Sequence, residues 1–187
     1  ICAEIKPNFF KPQEGKLIKS TQPWERLNID FKGPLPSRGK NKYILTVVDE
    51  FSRYPFAFPC SNMESSTVID CLITIFSIFG MPAYVHSDKG SNLISAELRT
   101  FLHSRGIAAS NTTPYHPQGN GQCERYNGVI WKTVQLALRS KGLSINCWED
   151  VLTDALHSVR SLLCTSTNST PHERMFHHPR RSTLGVS

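Results

Sequence analysis

Three strand-like segments follow one another near the start of the chain, and this succession is what most constrains the fold. Residues 24–31 and 43–51 are rich in apolar and β-branched side chains, and the turn-forming sequence GPLPSRGKNK between them favours pairing as a hairpin. Residues 54–60 form the third segment, whose prolines favour an edge strand. The sequence therefore predicts a sheet that begins with three consecutive strands, the third of them at its edge.

Beyond residue 60, helical and strand-like patterns alternate. Gly80 and Pro82 end the first helical pattern, and Ser95 is a predicted cap of the second. The predicted elements are, in order, a helix over 64–79, a strand over 83–87, a helix over 95–104, a strand over 107–112, a helix over 122–140 and a last helix over 148–164. The apolar face of the last helix extends to Leu162 and Leu163. This order predicts an α/β fold in which helices cover a mixed sheet.

Length and charge are typical of one globular domain with a basic surface. The 187 residues suffice for a single core, and 39% of them are hydrophobic. Lys and Arg outnumber Asp and Glu by 21 to 15, so the net charge of +6 favours polyanionic partners. The longest apolar run, residues 71–79, is too short to span a bilayer, and no signal peptide opens the chain. We therefore expect a soluble intracellular protein with no membrane association.

The six cysteines indicate reduced thiols rather than a zinc site. No CxxC or CxxH pair supplies neighbouring zinc ligands, so no zinc is expected in this chain. Thiols of intracellular proteins mostly stay reduced. Because residue 1 is Ile rather than Met, we also expect the chain to be a piece of a longer protein.

Three carboxylates lie where predicted elements place functional side chains. Asp30 lies within the first strand between apolar neighbours, Asp88 follows the strand over 83–87, and Glu124 opens the long helix. An acid buried in a strand, such as Asp30, is unfavourable unless a positively charged group pairs with it. Asp88 and Glu124 also have structural explanations, as a turn residue and as an acid at a helix N-terminus. If the three converge, they form an oxygen-only site that suits Mg²⁺ or Mn²⁺. Two such ions roughly 3.5–4 Å apart promote in-line displacement at phosphorus.

Long motifs around these acids resemble the integrase core of retroviruses and of Ty3/gypsy-type long-terminal-repeat retrotransposons. The matching segments are PWERLNIDFKGPLP, YILTVVDEFSRYPFAFP, HSDKGSNL and TTPYHPQGNGQCERYNGVIWK, and the later TPHERMF resembles the segment that closes the core domain. Thirty-five residues separate Asp88 from Glu124, which is the D,D-35-E spacing of that family. The resemblance extends from about residue 24 to residue 181. It implies an RNase H-like fold with a five-stranded mixed sheet and helices on both faces.

The resemblance also implies an activity and its cofactors. Asp30 would bridge two Mg²⁺ ions, for which Mn²⁺ can substitute, and Asp88 and Glu124 would each complete the shell of one ion. Water would trim the 3′ ends of the retroelement DNA, and the freed 3′-hydroxyl would join that end to target DNA. Family members assemble on DNA as homo-oligomers, so at least a dimer is expected. The resemblance also implies a nuclear location.

Further residues are candidates for contact with DNA. The loop TTPYHPQGNGQ resembles the flexible loop beside the family's active site, and Asn92 resembles a position near target DNA. The candidates are Asn92, Tyr115, His116, Gln118, Gln122 and Lys132. Simpler interpretations stay open, since Asn92 suits a turn, His116 a surface loop and Lys132 a solvated helix.

The sequence also predicts a division of the chain and leaves two rival functions open. Residues 1–23 are an extended lead-in in which Cys2 is a candidate remnant of an N-terminal zinc module. Residues 24–165 are the catalytic core, and residues 166–187 are a basic tail that closes it. One rival function is a host-recruited, non-catalytic module that binds nucleic acid or supports assembly. Another is a related RNase H-like nuclease or transposase, which the spacing and the PHPQGNGQ block disfavour.

Overall fold

A five-stranded mixed sheet forms the centre of the protein, as predicted. The computed structural model describes residues 19–87, 95–111, 121–165, 167–182 and 185–186, with the backbone alone at 111, 121–124, 182, 185 and 186. The strands are β1 (Arg26–Lys32), β2 (Tyr43–Asp49), β3 (Pro55–Cys60), β4 (Tyr84–Ser87) and β5 (Ala108–Asn111). Their order is β3-β2-β1-β4-β5. The first three pair antiparallel, β4 and β5 continue in parallel with β1, and β3 lies at the edge.

Helices cover both faces of this sheet. They are α1 (Ser65–Phe79), α2 (Ala96–Ser104), α3 (Gly121–Ser140), α4 (Trp148–Arg160) and α5 (Pro171–Phe176). The predicted cap is confirmed, because the Ser95 hydroxyl accepts the Leu98 N–H at 3.1 Å. The predicted stop of α1 is confirmed as well, since Gly80 has a φ of 81°. Two short strands, β6 (Arg181–Ser182) and β7 (Gly185–Val186), form a separate pair.

Two predicted boundaries were wrong, the start of the first strand and the end of the last helix. The first strand begins at Arg26, because Trp24 has a φ of 67° and lies in a turn, with its ring against Phe56 and Phe79. The last predicted helix ends at Arg160, and Leu162 and Leu163 are 53% and 59% exposed. The apolar periodicity continues past Arg160 without a surface to pack on, so the helix ends where its burial ends.

The other error was the omission of α5 from the tail. This helix has six residues, too few for a periodic pattern, but its start carries a recognisable signal. Thr170 and Glu173 form a capping box, with Glu173 N–H donating to the Thr170 hydroxyl at 3.1 Å and Thr170 N–H donating to the Glu173 carboxylate at 2.8 Å. The α5 residue Met175 is buried in the core. The predicted domain limits at residues 23 and 165 stay a prediction.

Two apolar clusters lie on opposite faces of the sheet because the side chains of β1 alternate. Leu27 and Ile29 face the cluster shared with α1, α2 and α5. Ile44 of β2 faces the cluster shared with α3 and α4, which includes the fully buried Trp148. Asn28, Asp30 and Lys32 alternate with the first set, so β1 presents a polar row to the α3 face.

A buried acid holds the turn that follows β2. The Asp49 carboxylate accepts hydrogen bonds from the N–H and hydroxyl of Ser52 at 2.7 and 2.6 Å, and from the Trp24 N–H at 2.9 Å. Burial raises the pKa of Asp49, although these hydrogen bonds oppose the rise. These bonds hold the turn and tie it to the segment before β1, which identifies Asp49 as a structural acid.

Candidate active site

Asp30 lies near the carboxyl end of β1, on the face that α3 covers. Its half-buried side chain is fixed by two donors. The Phe31 N–H donates to Oδ1 at 2.9 Å, and the Asn127 side-chain amide of α3 donates to Oδ2 at 2.7 Å. Asn127 is 8% exposed, so little water competes for this second bond. The strand acid and the helix amide therefore dock α3 on β1 at one defined point.

The neighbouring strand β4 ends beside this point. β4 runs parallel to β1, and its last residue, Ser87, pairs with Ile29. Asp88 follows Ser87 in the sequence and lies outside the described residues. The described part of β4 thus ends in register with the residue directly before Asp30.

Helix α3 carries the third predicted acid. Glu124 lies in α3, where the backbone alone is described, and Asn127 is three residues further along the same helix. The backbone alone is described for Gln122 as well. Of the three predicted metal ligands, Asp30 is the one whose side chain the structure describes. Within the described residues, His, Cys, Asp and Glu side chains form no cluster of three or more that suits a metal ion.

The predicted DNA contacts divide into two groups. Lys132 is an exposed side chain of α3. The other contacts fall outside the described residues or their described side chains; they are Asn92, Tyr115, His116, Gln118 and Gln122. All six stay predictions. The α3 residues Ile130, Val134 and Leu138 are buried in the cluster between the sheet, α3 and α4.

Sequence reasoning missed Asn127 and the pair formed by Lys32 and Trp131. Asn127 is one helical turn after Glu124, so its position relative to that acid was the available signal. Lys32 is two residues after Asp30 on the same face of β1, and its ammonium group lies 5.5 Å from the centre of the Trp131 ring on α3. Both contacts join the same strand to the same helix.

A row of polar side chains continues across the α3 face of the sheet. Asn28 pairs in register with His86 of β4, and His86 with Ser110 of β5. The His86 Nδ1 lies 2.9 Å from the Ser110 hydroxyl, and both Asn28 and His86 are buried. Polar groups therefore line the sheet from β5 to the strand that carries Asp30.

Comparison with known proteins decides the family. The model of the integrase core domain matches residues 20–117, which is 98 of the 187 residues. This chain belongs to the integrase core family. The integrase core is 29% identical over 177 residues to the Pro-Pol polyprotein of feline foamy virus, covering 94% of this chain and 15% of that protein. It is also 33% identical over 165 residues to the uncharacterized protein K02A2.6 of Caenorhabditis elegans, covering 88% of the chain and 12% of that protein.

A retrotransposon polyprotein and a solved structure are also similar to this chain. The Tf2-3 transposon polyprotein of Schizosaccharomyces pombe is 27% identical over 158 residues, covering 82% of the integrase core and 12% of that polyprotein. The integrase core thus spans a small part of the relatives it matches. A simian T-cell lymphotropic virus intasome in complex with PP2A regulatory subunit B56 gamma aligns with a TM-score of 0.74 at 22% identity, over 95% of this chain and 62% of that one.

A second solved structure aligns along nearly its whole length. The HTLV-2 integrase catalytic core domain in complex with magnesium, in its trimeric form, has a TM-score of 0.66 at 22% identity, over 84% of this chain and 99% of that one. At such identity the likeness establishes the fold, which is the RNase H-like arrangement that the sequence predicted. Within the described residues, no helix is both long and apolar enough to cross a membrane.

Proposed function

We propose that this integrase core catalyses the metal-dependent trimming of retroelement DNA 3′ ends and their joining to target DNA. The observation that carries the proposal is the hydrogen bond from Asn127 to Asp30, because it fixes α3 on β1. Positions three apart share a helix face, so Glu124 belongs to the face of α3 that docks beside Asp30. Parallel pairing of Ile29 with Ser87 supports a position for Asp88 next to Asp30.

The proposed metal ligands are Asp30, Asp88 and Glu124, which would together hold two Mg²⁺ or Mn²⁺ ions. The donor set fits these ions, because carboxylate oxygens are the ligands that hard divalent cations prefer. When bound, the ions supply positive charge that activates the attacking oxygen and stabilises the leaving oxygen. Asn127 holds one Asp30 oxygen in place, which reduces the reorganisation that the carboxylate needs before chemistry.

Each proposed step exchanges one phosphodiester bond for another bond to phosphorus. In trimming, a water oxygen bonds to phosphorus and the 3′-oxygen of the retained strand leaves as a hydroxyl. In joining, that 3′-hydroxyl attacks a phosphorus of target DNA and displaces a 3′-oxygen there. The net charge of +6 favours the approach of both DNA molecules. Asn92, Tyr115, His116, Gln118, Gln122 and Lys132 are the proposed DNA contacts, and the working protein is a nuclear homo-oligomer.

The direct test compares the full-length parent protein with its Asp88→Asn variant on labelled terminal-repeat DNA ends. With Mg²⁺ or Mn²⁺, the parent should shorten the ends and join them to a second DNA, and Asp88→Asn should lose both products. Asp70→Asn is a matched control, since Asp70 is an exposed acid of α1 on the opposite face of the sheet. Equal products from parent and Asp88→Asn would refute the catalytic proposal, and DNA binding without any product would favour the non-catalytic module.

Replacing Asn127 with Ala tests the positioning of Asp30 separately. We expect DNA cleavage to fall by about 10- to 100-fold, because residues that orient metal ligands typically have effects of this size. Asn41→Ala is the matched control. The Asn41 amide also donates to a carboxylate, that of Glu149 at 2.8 Å, but not at the candidate site. Cleavage assays with purified, folded variants measure the effect, and equal activities of the two variants would contradict it.

A further inference from the structure

Two cysteine thiols are in contact away from the candidate active site. Cys60 is the last residue of the edge strand β3, and Cys71 lies in the middle of α1. Their Sγ atoms are 4.0 Å apart. Cys60 is 2% exposed, whereas Cys71 is half-buried and within reach of small solutes. Both belong to the apolar cluster between the sheet and α1.

We propose that Cys60 and Cys71 are an oxidisable dithiol that forms an intramolecular disulfide and fastens β3 to α1. A disulfide bond is about 2.05 Å long, so the sulfurs must approach by about 2 Å. Rotation of the two side chains supplies an approach of this size when their backbones already lie in adjacent packed elements. The pairing joins neighbouring layers of one domain and needs no second protein molecule.

The reaction with hydrogen peroxide balances with this pair alone. The sulfur of one cysteine attacks a peroxide oxygen, forming a sulfenic acid and releasing one water. The second sulfur then attacks the first and displaces hydroxide, which leaves as water with the remaining thiol proton. Two thiols and one peroxide thus give one disulfide and two waters. Each sulfur loses one electron, and the two peroxide oxygens are reduced.

The environment assigns different tasks to the two sulfurs. Cys71 is the more exposed, so small solutes reach the pair from its side. The hydrogen bond between the two sulfurs lowers the pKa of Cys60, and the same contact, together with burial, raises the pKa of Cys71. Cys60 is therefore the sulfur that more readily becomes a thiolate, which is the reactive form in both steps.

The position of the pair predicts an effect on stability rather than on catalysis. β3 is separated from β1, which carries Asp30, by the whole of β2. The new bond would close a short chain loop between residues 60 and 71 and so restrict the unfolded chain. We expect the melting temperature of the oxidised protein to rise by about 5 °C.

The test treats the reduced full chain with one equivalent of hydrogen peroxide and maps the product by mass spectrometry. Trypsin leaves both cysteines in one peptide, residues 54–89, which should become about 2 Da lighter by the loss of two hydrogens. Cleavage of that peptide after Glu64 should then leave two fragments joined until a reductant is added. Cys71→Ser should abolish the link and the rise in melting temperature, whereas Cys164→Ser should retain both.

Two results would overturn the proposal. One is a peptide 54–89 that gains oxygen at Cys71 or pairs with another cysteine without forming the 60–71 bond. The other is a linked protein whose melting temperature equals or falls below that of the reduced form, because the fold then does not accommodate the bond. Cys71→Ser replaces a half-buried thiol with a slightly smaller group, so this variant should fold and keep the comparison meaningful.

Discussion

Replacing Asp30 with Asn in the full-length parent should lower metal-dependent DNA cleavage by more than about 100-fold. Residues that only orient metal ligands typically cause smaller losses. Asp30 is a proposed metal ligand, and an amide would offer one neutral oxygen in place of two charged ones. The hydrogen bond from Asn127 fixes the carboxylate, so its replacement changes charge at a defined position. DNA binding should persist, because the basic surface is unchanged.

Metal binding gives a readout of this variant that does not depend on catalysis. Ligands that bind the native state raise the melting temperature, so Mn²⁺ should stabilise the parent and not Asp30→Asn. Asp70→Asn, which removes an exposed charge from α1, should respond to Mn²⁺ as the parent does. If Asp30→Asn kept both the cleavage activity and the Mn²⁺ response, Asp30 would not be a metal ligand.

Replacing Trp148 with Ala should lower the free energy of unfolding by about 3–5 kcal/mol, the usual range for a buried Trp. Trp148 begins α4 and is fully buried in the cluster between the sheet, α3 and α4. Its removal leaves a cavity where the helices and the sheet meet. Urea unfolding measures the change, and a loss of this size is a large fraction of the stability of an ordinary domain.

Two further variants make the Trp148 prediction specific. Trp148→Phe should cost less than Trp148→Ala, because it keeps an aromatic ring and removes an indole N–H that has no partner among the described residues. Leu136→Ala on α3 should change the free energy by only about 0.5 kcal/mol, since Leu136 is 56% exposed. Similar losses in Trp148→Ala and Leu136→Ala would show that this cluster does not stabilise the domain.

Long periodic segments predicted their elements well. Residues 43–49 and 65–79 have patterns that only one secondary structure can bury, and both elements formed within two residues of the prediction. Prediction failed where tertiary packing decided the outcome. α4 ended at Arg160, whose guanidinium group donates to the Pro55 carbonyl at 3.0 and 2.8 Å, a partner 105 residues away in the sequence.

In the candidate site, too, the sequence predicted some features and tertiary packing decided others. The sequence predicted Asp30, Asp88 and Glu124 as metal ligands, which stays a prediction, but it did not predict what holds Asp30 in place. That role belongs to Asn127, and the contact depends on how α3 is rotated and shifted on the sheet. The packing of Ile130 and Val134 in the cluster that includes Ile44 determines this placement. Such packing depends on shape complementarity between distant segments, which local patterns do not encode.

The sequence alone therefore determines which three carboxylates are candidates and in what order they occur. It also predicts the succession of strands and helices around them. Hydrophobic periodicity and turn residues act over a few positions, so they can be recognised in the sequence. The register of β4 against β1 and the docking of α3 through Asn127 and Asp30 were decided by the tertiary structure. The contact between Cys60 and Cys71 was decided in the same way, because it requires an edge strand and a helix to pack before the two sulfurs can meet.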